Sequence, residues 1–336
     1  MKAIYDRDVK KLKSVFEEAE TNNKVLKLNE KNDDGQYPLL YAVEKNNTEI
    51  VKLIIDYARE KNFRLELNEK GTWGHGWYPF LGAVIVNNSN VVKLIIEYAN
   101  EQNIKLNIKQ MSEKKEYPFL YAVINKNPNM IKIIIDYANK NDIVLDVNEK
   151  GQYNNYPLLY AIIKNNTEIV QLIMDYANEK DIKLEMNDKN NEGWYPLLQA
   201  VYNNCPEMLK LIIDYANKHD ITLNINEKNN VGRYQLLYAI INNNCEIVKI
   251  LFDYAKKKNL VFELNEKDIK SYIKKNALDG NTDDKCIKDI SEIDLEIIKL
   301  LNSNKKERKL NIKFSKFKMF KSKLYKRFKE IKKNCS

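Results

Sequence analysis

The architecture of this chain follows from one short stretch, Tyr37-Pro38-Leu39-Leu40-Tyr41-Ala42, which returns five times along the sequence with a few substitutions. The later copies begin at Tyr78, Tyr117, Tyr156, Tyr195 and Tyr234. The spacing is 41 residues once and 39 residues in the other four steps, and Gln235 replaces proline in the last copy. A second signature, Asp-Tyr-Ala or Glu-Tyr-Ala, follows every copy at a fixed distance, first at Asp56-Tyr57-Ala58. Two markers that keep phase over six copies indicate a repeat protein.

Each copy is predicted to contain two helices and an extended connection. Pro38 fits the first turn of a helix, where its missing N–H has no partner to lose. Asn46 and Asn47 are expected to end that helix, because asparagine tolerates the left-handed conformation. Thr48 is expected to cap the second helix, in which residues 50–58 place their apolar side chains on one face. The alternation in Leu65-Glu66-Leu67-Asn68 predicts a short strand that leads into the next tyrosine.

This unit resembles the ankyrin repeat. The Gly-x-Thr-Pro-Leu-His-x-Ala motif of that family corresponds to residues 35–42, and its Glu-Ile-Val helix corresponds to Glu49-Ile50-Val51. Here Tyr37 and Leu40 replace the threonine and histidine, and the period is 39 rather than about 33 residues. The resemblance implies an all-α, ankyrin-type helical solenoid with short, extended, hairpin-like connections. Helix pairs of the HEAT type, whose period is about 40–47 residues, are the alternative.

The phase of the repeat divides the chain into four predicted parts. Residues 1–36 are a half-repeat cap, and residues 37–272 are six ankyrin-like repeats. Residues 273–312 are a degenerate capping repeat, and residues 313–336 are a basic amphipathic tail. Repeat arrays need such caps because an unstacked end would expose apolar surface.

Charge separates the tail from the body. Residues 305–336 contain 14 Lys or Arg and two Glu, a net charge of +12, whereas the other residues contain 42 basic and 45 acidic side chains, a net charge of −3. Apolar tail residues recur every three or four positions, which is typical of an amphipathic helix that binds an anionic membrane surface. The residues expected to carry this binding are Phe314, Phe317, Phe320, Lys323, Lys326, Arg327, Phe328 and Lys329. A free basic tail and a tail docked on the repeats are the alternatives, and nucleic-acid association ranks lower because the body is slightly acidic.

No combination of residues predicts catalysis. His75 and His219 are the only histidines, and the four cysteines are too widely spaced for a zinc site or a disulfide framework. We therefore expect no catalytic residues, no metal and no cofactor.

The start of the chain lacks an apolar secretory core, and the longest apolar runs are far shorter than the roughly 20 residues of a membrane span. This favours a cytoplasmic protein, with a nuclear or membrane-peripheral location as alternatives.

The turn before each tyrosine is the most variable segment, and it contains all three tryptophans. Residues that vary on a repeating scaffold are the ones available for recognition, and Trp, Tyr and Arg are enriched at binding hot spots. The predicted partner-binding residues are Trp73, Trp77, Tyr153, Trp194 and Arg233. For Trp77 and Trp194 the alternative is packing between neighbouring turns. The sequence thus favours a monomeric, non-enzymatic scaffold or adaptor that binds a protein partner, with a peripheral membrane tether as the alternative.

Overall fold

The computed structural model describes residues 1–71, 76–265, 268–269, 295–306 and 310–313. The chain forms two compact units, Met1–Leu184 and Glu185–Ser336. Both contain repeated helix pairs in which a helix of seven residues precedes one of thirteen. The prediction of an all-α fold is therefore confirmed. None of the described helices has the length and apolar character needed to span a bilayer.

The first unit contains ten α-helices among its described residues. They are α1 (Lys2–Tyr5), α2 (Val9–Thr21), α3 (Pro38–Glu44), α4 (Thr48–Glu60), α5 (Pro79–Ile85), α6 (Ser89–Glu101), α7 (Pro118–Ile124), α8 (Pro128–Lys140), α9 (Pro157–Ile163) and α10 (Thr167–Glu179). First helices pack on first helices, as α3 on α5, and second helices pack on second helices, as α4 on α6. The N-terminal segment follows the same rule, because α1 packs on α3 and α2 on α4. It therefore contains a shortened first helix in addition to the one helix predicted from its sequence.

The second unit continues the pattern and then changes it. Its described elements are α11 (Pro196–Tyr202), α12 (Pro206–Lys218), α13 (Gln235–Ile241), α14 (Cys245–Lys257), β1 (Phe262–Asn265), α15 (Leu295–Lys306) and β2 (Leu310–Lys313). Strands β1 and β2 pair in parallel, with Phe262 opposite Leu310 and Leu264 opposite Ile312. Helix α15 packs on α14, so it occupies the place of a further second helix.

Asparagine determines where each helix ends and where the next begins. Asn46 has a φ of 51°, and asparagines take this left-handed place in most copies. The cap of α4 is Asn47, whose side-chain oxygen accepts from the backbone N–H of Ile50 at 3.0 Å. The prediction that Thr48 is the cap was therefore wrong, and Thr48 is the first helical residue. Asparagine and threonine are both good caps. The helix starts one residue earlier than predicted, because the left-handed Asn46 directly precedes Asn47.

The core lies between the two layers of helices. Leu39, Leu40 and Val43 of α3, and Ile50, Val51 and Ile54 of α4, are fully buried. The alanine that recurs in every first helix is also fully buried, at Ala42, Ala83, Ala122, Ala161, Ala200 and Ala239. Repetition of the same buried positions means that each copy completes its core only against its neighbours.

The extended connections alternate between buried and exposed residues, as predicted, but residues 65–68 do not form a strand. Instead, asparagine carboxamides join neighbouring connections at several places along the repeat. The Asn29 side-chain oxygen accepts from the N–H of Glu66 at 3.0 Å, and its nitrogen donates to the carbonyl of Arg64 at 2.9 Å. We call this pair of hydrogen bonds a rung. Equivalent rungs are made by Asn68, Asn187 and Asn226.

Two kinds of tyrosine also form hydrogen bonds to the connections, one within a copy and one between neighbouring copies. The Tyr37 hydroxyl donates to the carbonyl of Glu69 in the following connection at 2.7 Å. The Tyr98 hydroxyl accepts from the N–H of Leu65 in the preceding connection at 3.1 Å. Each of these buried tyrosine hydroxyls thus has a hydrogen-bond partner, as a buried polar group requires.

Candidate functional site

Within each unit, three positions of each copy lie near one another: the residue before the repeat tyrosine, and the fourth and seventh residues after it. We call the surface that they form the turn face. In the first unit it consists of Gln36, Tyr41, Glu44, Trp77, Gly82, Ile85, Glu116, Tyr121, Ile124, Asn155, Tyr160 and Ile163. In the second unit it consists of Trp194, Gln199, Tyr202, Arg233, Tyr238 and Ile241. The fourth and seventh residues share a side of the first helix because an α-helix has 3.6 residues per turn.

A buried carboxylate organises the turn face of the first unit. Glu116 is only 6% exposed, and one of its oxygens accepts from the indole N–H of Trp77 at 2.7 Å and from the hydroxyl of Ser112 at 2.9 Å. Its other oxygen accepts from the hydroxyl of Tyr121 at 2.7 Å. Burial and the neighbouring Glu116 raise the pKa of Tyr121, so this hydroxyl remains a donor. Three donors satisfy the carboxylate and fix Trp77 against the following copy.

A second carboxylate, Glu44, lies at the end of α3 and is only partly satisfied. One oxygen accepts from the side-chain nitrogen of Gln36, whereas the other is buried and has no hydrogen-bond partner among the described residues. Burial disfavours the charged form and raises the pKa of Glu44 to about 7, against the opposing effects of Gln36 and Lys45. Near neutral pH this position is therefore a mixture of carboxylate and carboxylic acid.

Replacing Glu44 with glutamine is expected to stabilise the protein at pH 8 by about 1 kcal/mol, a value reduced for the partial exposure of the group. Because the folded-state pKa lies above the ordinary value of 4.5, the glutamate supports folding fully below pH 4.5 and loses that contribution as the pH rises towards 7. The advantage of Glu44→Gln should therefore shrink as the pH falls to 4.5. Urea unfolding of both proteins from pH 4.5 to 8 measures this, and a constant difference would contradict it.

An aromatic cluster forms the turn face of the second unit. The Trp194 ring lies 4.9 Å from that of Tyr202 and stacks on that of Tyr238 at 5.9 Å, while the two tyrosines meet edge to face at 5.2 Å. Tyr238 is buried, Trp194 is half-buried and Tyr202 is 50% exposed. Such contacts hold aromatic side chains in defined orientations. The cluster thus presents a preorganised aromatic surface to solvent.

The predicted partner-binding residues do not form a single patch. Tyr153 is 67% exposed and sits in a turn of 3-10 helix, Gln152–Asn154, with a φ of 57°. Trp77 is half-buried and bonded to Glu116, and Trp194 belongs to the aromatic cluster. Arg233 is half-buried, and its backbone N–H donates to the side chain of Asn229 at 2.9 Å. Trp73 and the tail residues Phe314, Phe317, Phe320, Lys323, Lys326, Arg327, Phe328 and Lys329 lie outside the described residues, so their roles stay predictions.

Sequence reasoning missed Tyr202, the most exposed member of the aromatic cluster. Its equivalents are Glu44, Ile85, Ile124, Ile163 and Ile241, so the fifth copy alone has an aromatic side chain at this place. Comparing the copies position by position within the first helix, and not only in the turns, would have revealed it. Glu116 was also missed, because from the sequence it looked like the exposed glutamates elsewhere in the repeat.

The described residues show no arrangement typical of a metal site. No three His, Cys, Asp or Glu side chains converge in the described part of the chain. Cys205 and Cys245 are both half-buried, and Cys205 occupies the capping position of α12 without making a side-chain capping bond. His219 stacks on Tyr215 at 4.2 Å, whereas His75 lies outside the described ranges.

Comparison with known proteins gives one family and one fold. The family model described as ankyrin repeats (3 copies) matches residues 1–110, 80–185 and 182–261. Among solved structures, the chain is similar to the ankyrin repeat domain of Bcl-3, described as a unique member of the IkappaB protein family. The two are 19% identical, with a TM-score of 0.48, and the match covers 66% of this chain and 87% of that one. No curated protein matches the sequence.

Proposed function

Because this chain belongs to the ankyrin repeat family, we propose that it is a non-enzymatic scaffold or adaptor that binds a protein partner through the turn face. Ankyrin repeats are generally protein–protein interaction modules, and they are typically non-enzymatic. The family match also decides between the two repeat types considered for the sequence, because it covers residues 1–261 and excludes the HEAT alternative there.

The aromatic cluster of Trp194, Tyr202 and Tyr238, in which Tyr202 is half exposed, is the observation that carries this proposal. A tyrosine side chain that is half exposed, yet held by two other rings, loses little conformational freedom when a partner covers it. Tryptophan and tyrosine also supply large contact areas at the centres of protein interfaces. The scaffold residues repeat from copy to copy, whereas among the six copies an aromatic residue at the position of Tyr202 occurs in the fifth alone. The cluster is therefore suited to recognise a specific partner.

Replacing Tyr202 with alanine is expected to weaken partner binding by about 30-fold, which corresponds to about 2 kcal/mol. The fold should be nearly unaffected, because half of the side chain is already in water. The measurement is capture of a partner from cell extract by the wild-type protein, followed by titration of the purified partner against both proteins.

Val261→Ala serves as the matched control, because Val261 belongs to the same unit, is 42% exposed and lies outside the turn face. It should bind the partner as the wild type does. Equal affinities for the wild-type and Tyr202→Ala proteins would contradict the proposed face, and a stronger loss with Val261→Ala would place the interface elsewhere.

A further inference from the structure

The series of carboxamide rungs is interrupted between the second and third copies. At the position where other connections have the rung asparagine, the connection of the second copy has Lys109. Its ammonium group does not replace the two hydrogen bonds of a carboxamide. It forms an ion pair with the Asp146 side chain at 2.8 Å, in which both partners are about half exposed. Exposed ion pairs contribute little to stability, so this one can open at small cost.

The backbone donor and acceptor that a rung would bond in the next connection are present, but they have no hydrogen-bond partner in the described part of the chain. By position in the repeat they are the N–H of Asp146 and the carbonyl of Val144, which flank Leu145 as Glu66 and Arg64 flank Leu65. Neither group has a hydrogen-bond partner among the described residues. Both residues are exposed, so a partner can reach this donor and acceptor.

A crevice of about 230 Å³ lies beside these unpaired groups. Its floor is apolar, because Tyr117, Phe119 and Leu145 are each at most 3% exposed and all line it. Its rim carries Lys109 and Asp146. The crevice therefore has room for one apolar side chain. A bound segment could place such a side chain in the crevice and pair its backbone with the N–H of Asp146 and the carbonyl of Val144.

The chemistry of the missing rung defines the occupant. In parallel pairing, one residue donates its N–H to the carbonyl before the opposite residue and accepts from the N–H after it. These are the same two bonds that the Asn29 carboxamide makes around Leu65. A connection of this protein can pair with the backbone of another segment. The connection of the sixth copy does so, because it forms strand β1, which pairs in parallel with strand β2. An extended segment can therefore take the place of the absent carboxamide.

We propose that the edge formed by Val144, Leu145 and Asp146 is a second interaction site, which binds an extended segment of a partner protein. The segment runs parallel to residues 145–148, one of its residues completes the rung, and an apolar neighbour enters the crevice. This is strand addition at a connection edge. It uses none of the aromatic residues of the second unit, so it does not depend on the function proposed for them.

The test uses an acetylated and amidated peptide of residues 309–314, Lys-Leu-Asn-Ile-Lys-Phe, because residues 310–313 already pair in parallel with an equivalent connection. Hydrogen exchange at the Asp146 amide is followed by NMR with the full-length protein. Saturating peptide should slow this exchange at least tenfold. The same peptide with Ile312→Pro, which removes a backbone donor, should have no effect.

Two variants make the test specific. Lys109→Asn restores the rung within the chain, so the Asp146 amide should exchange slowly without peptide and should not respond to it. Lys105→Asn removes the same charge four residues earlier and should behave as the wild type does. The proposal is overturned if the peptide leaves the Asp146 exchange of the wild type unchanged, if Lys109→Asn responds equally, or if the peptide protects only residues 262–265.

Discussion

Replacing Ile134 with alanine is expected to lower the free energy of unfolding by about 3 kcal/mol. Ile134 is fully buried in α8, at a place where the other second helices of the repeats carry Ile54, Ile95, Ile173, Ile212 and Leu251, which are also fully buried. Helix α8 packs on α6 and α10, so the lost methyl groups leave a cavity that neighbouring copies cannot close without moving. Urea unfolding followed by circular dichroism measures the loss.

Val144→Ala is the matched control for this prediction. Val144 belongs to the same copy and is also β-branched, but its side chain is 53% exposed. Its replacement should change the free energy of unfolding by no more than about 0.5 kcal/mol. A loss below about 1 kcal/mol for Ile134→Ala would mean that the second helices do not form a close-packed layer.

Replacing Gly193 with alanine is expected to destabilise the second unit by about 3 kcal/mol. Gly193 has a φ of 81°, where a side chain costs about 1 kcal/mol or more. A Cβ atom there would also lie 2.8 Å from the Cα of Asn229 and 2.8 Å from the backbone nitrogen of Asn230. These are backbone atoms of the next turn, and they cannot move aside as a flexible side chain would. The close contact therefore adds to the cost of the strained backbone at residue 193. Urea unfolding of this variant and the wild type gives the difference.

Gly232 provides the comparison that separates the two causes. It occupies the equivalent turn of the next copy with a φ of 79°, and a Cβ atom there would meet nothing within 4 Å. Gly232→Ala should therefore cost only the backbone strain, about 1 kcal/mol. If both alanine variants lost the same stability, the close contact between successive turns would not exist.

The repeat and its helices could be predicted from the sequence because both depend on local signals that recur six times. Proline before an apolar run and asparagine after it specify where the first helix begins and ends, and copies in phase remove ambiguity about the period. The error at Thr48 was local. Asn47 and Thr48 are both good caps, and only the backbone conformation at Asn46 decides between them.

The links between copies could not be predicted because they join residues more than 30 positions apart. Alternation in residues 65–68 predicted a strand, yet the partner of that segment is the side chain of Asn29 rather than a backbone. Alternation reports which side chains are buried, and it says nothing about which group bonds the backbone.

The same limit applied to the turn face. The composition of the turns led to Trp77 and Trp194, but it did not show that Glu116 bonds the first and that Tyr202 extends the second. Glutamate before Tyr117 looked like one more solvated charge, because the sequence does not reveal that Trp77, Ser112 and Tyr121 surround it. Burial of a charge depends on three donors from different parts of the chain, and only the fold brings them together.

Direct contact between the aromatic cluster and a partner is the central claim, and photo-crosslinking tests it without relying on a change in affinity. The photoreactive residue p-benzoylphenylalanine is placed at Tyr202 in one protein and at Val261 in another, since both side chains are exposed and belong to the same unit. With the captured partner present, irradiation should give a covalent product from position 202 and none from position 261. A product from position 261 alone would show that the partner binds away from the turn face.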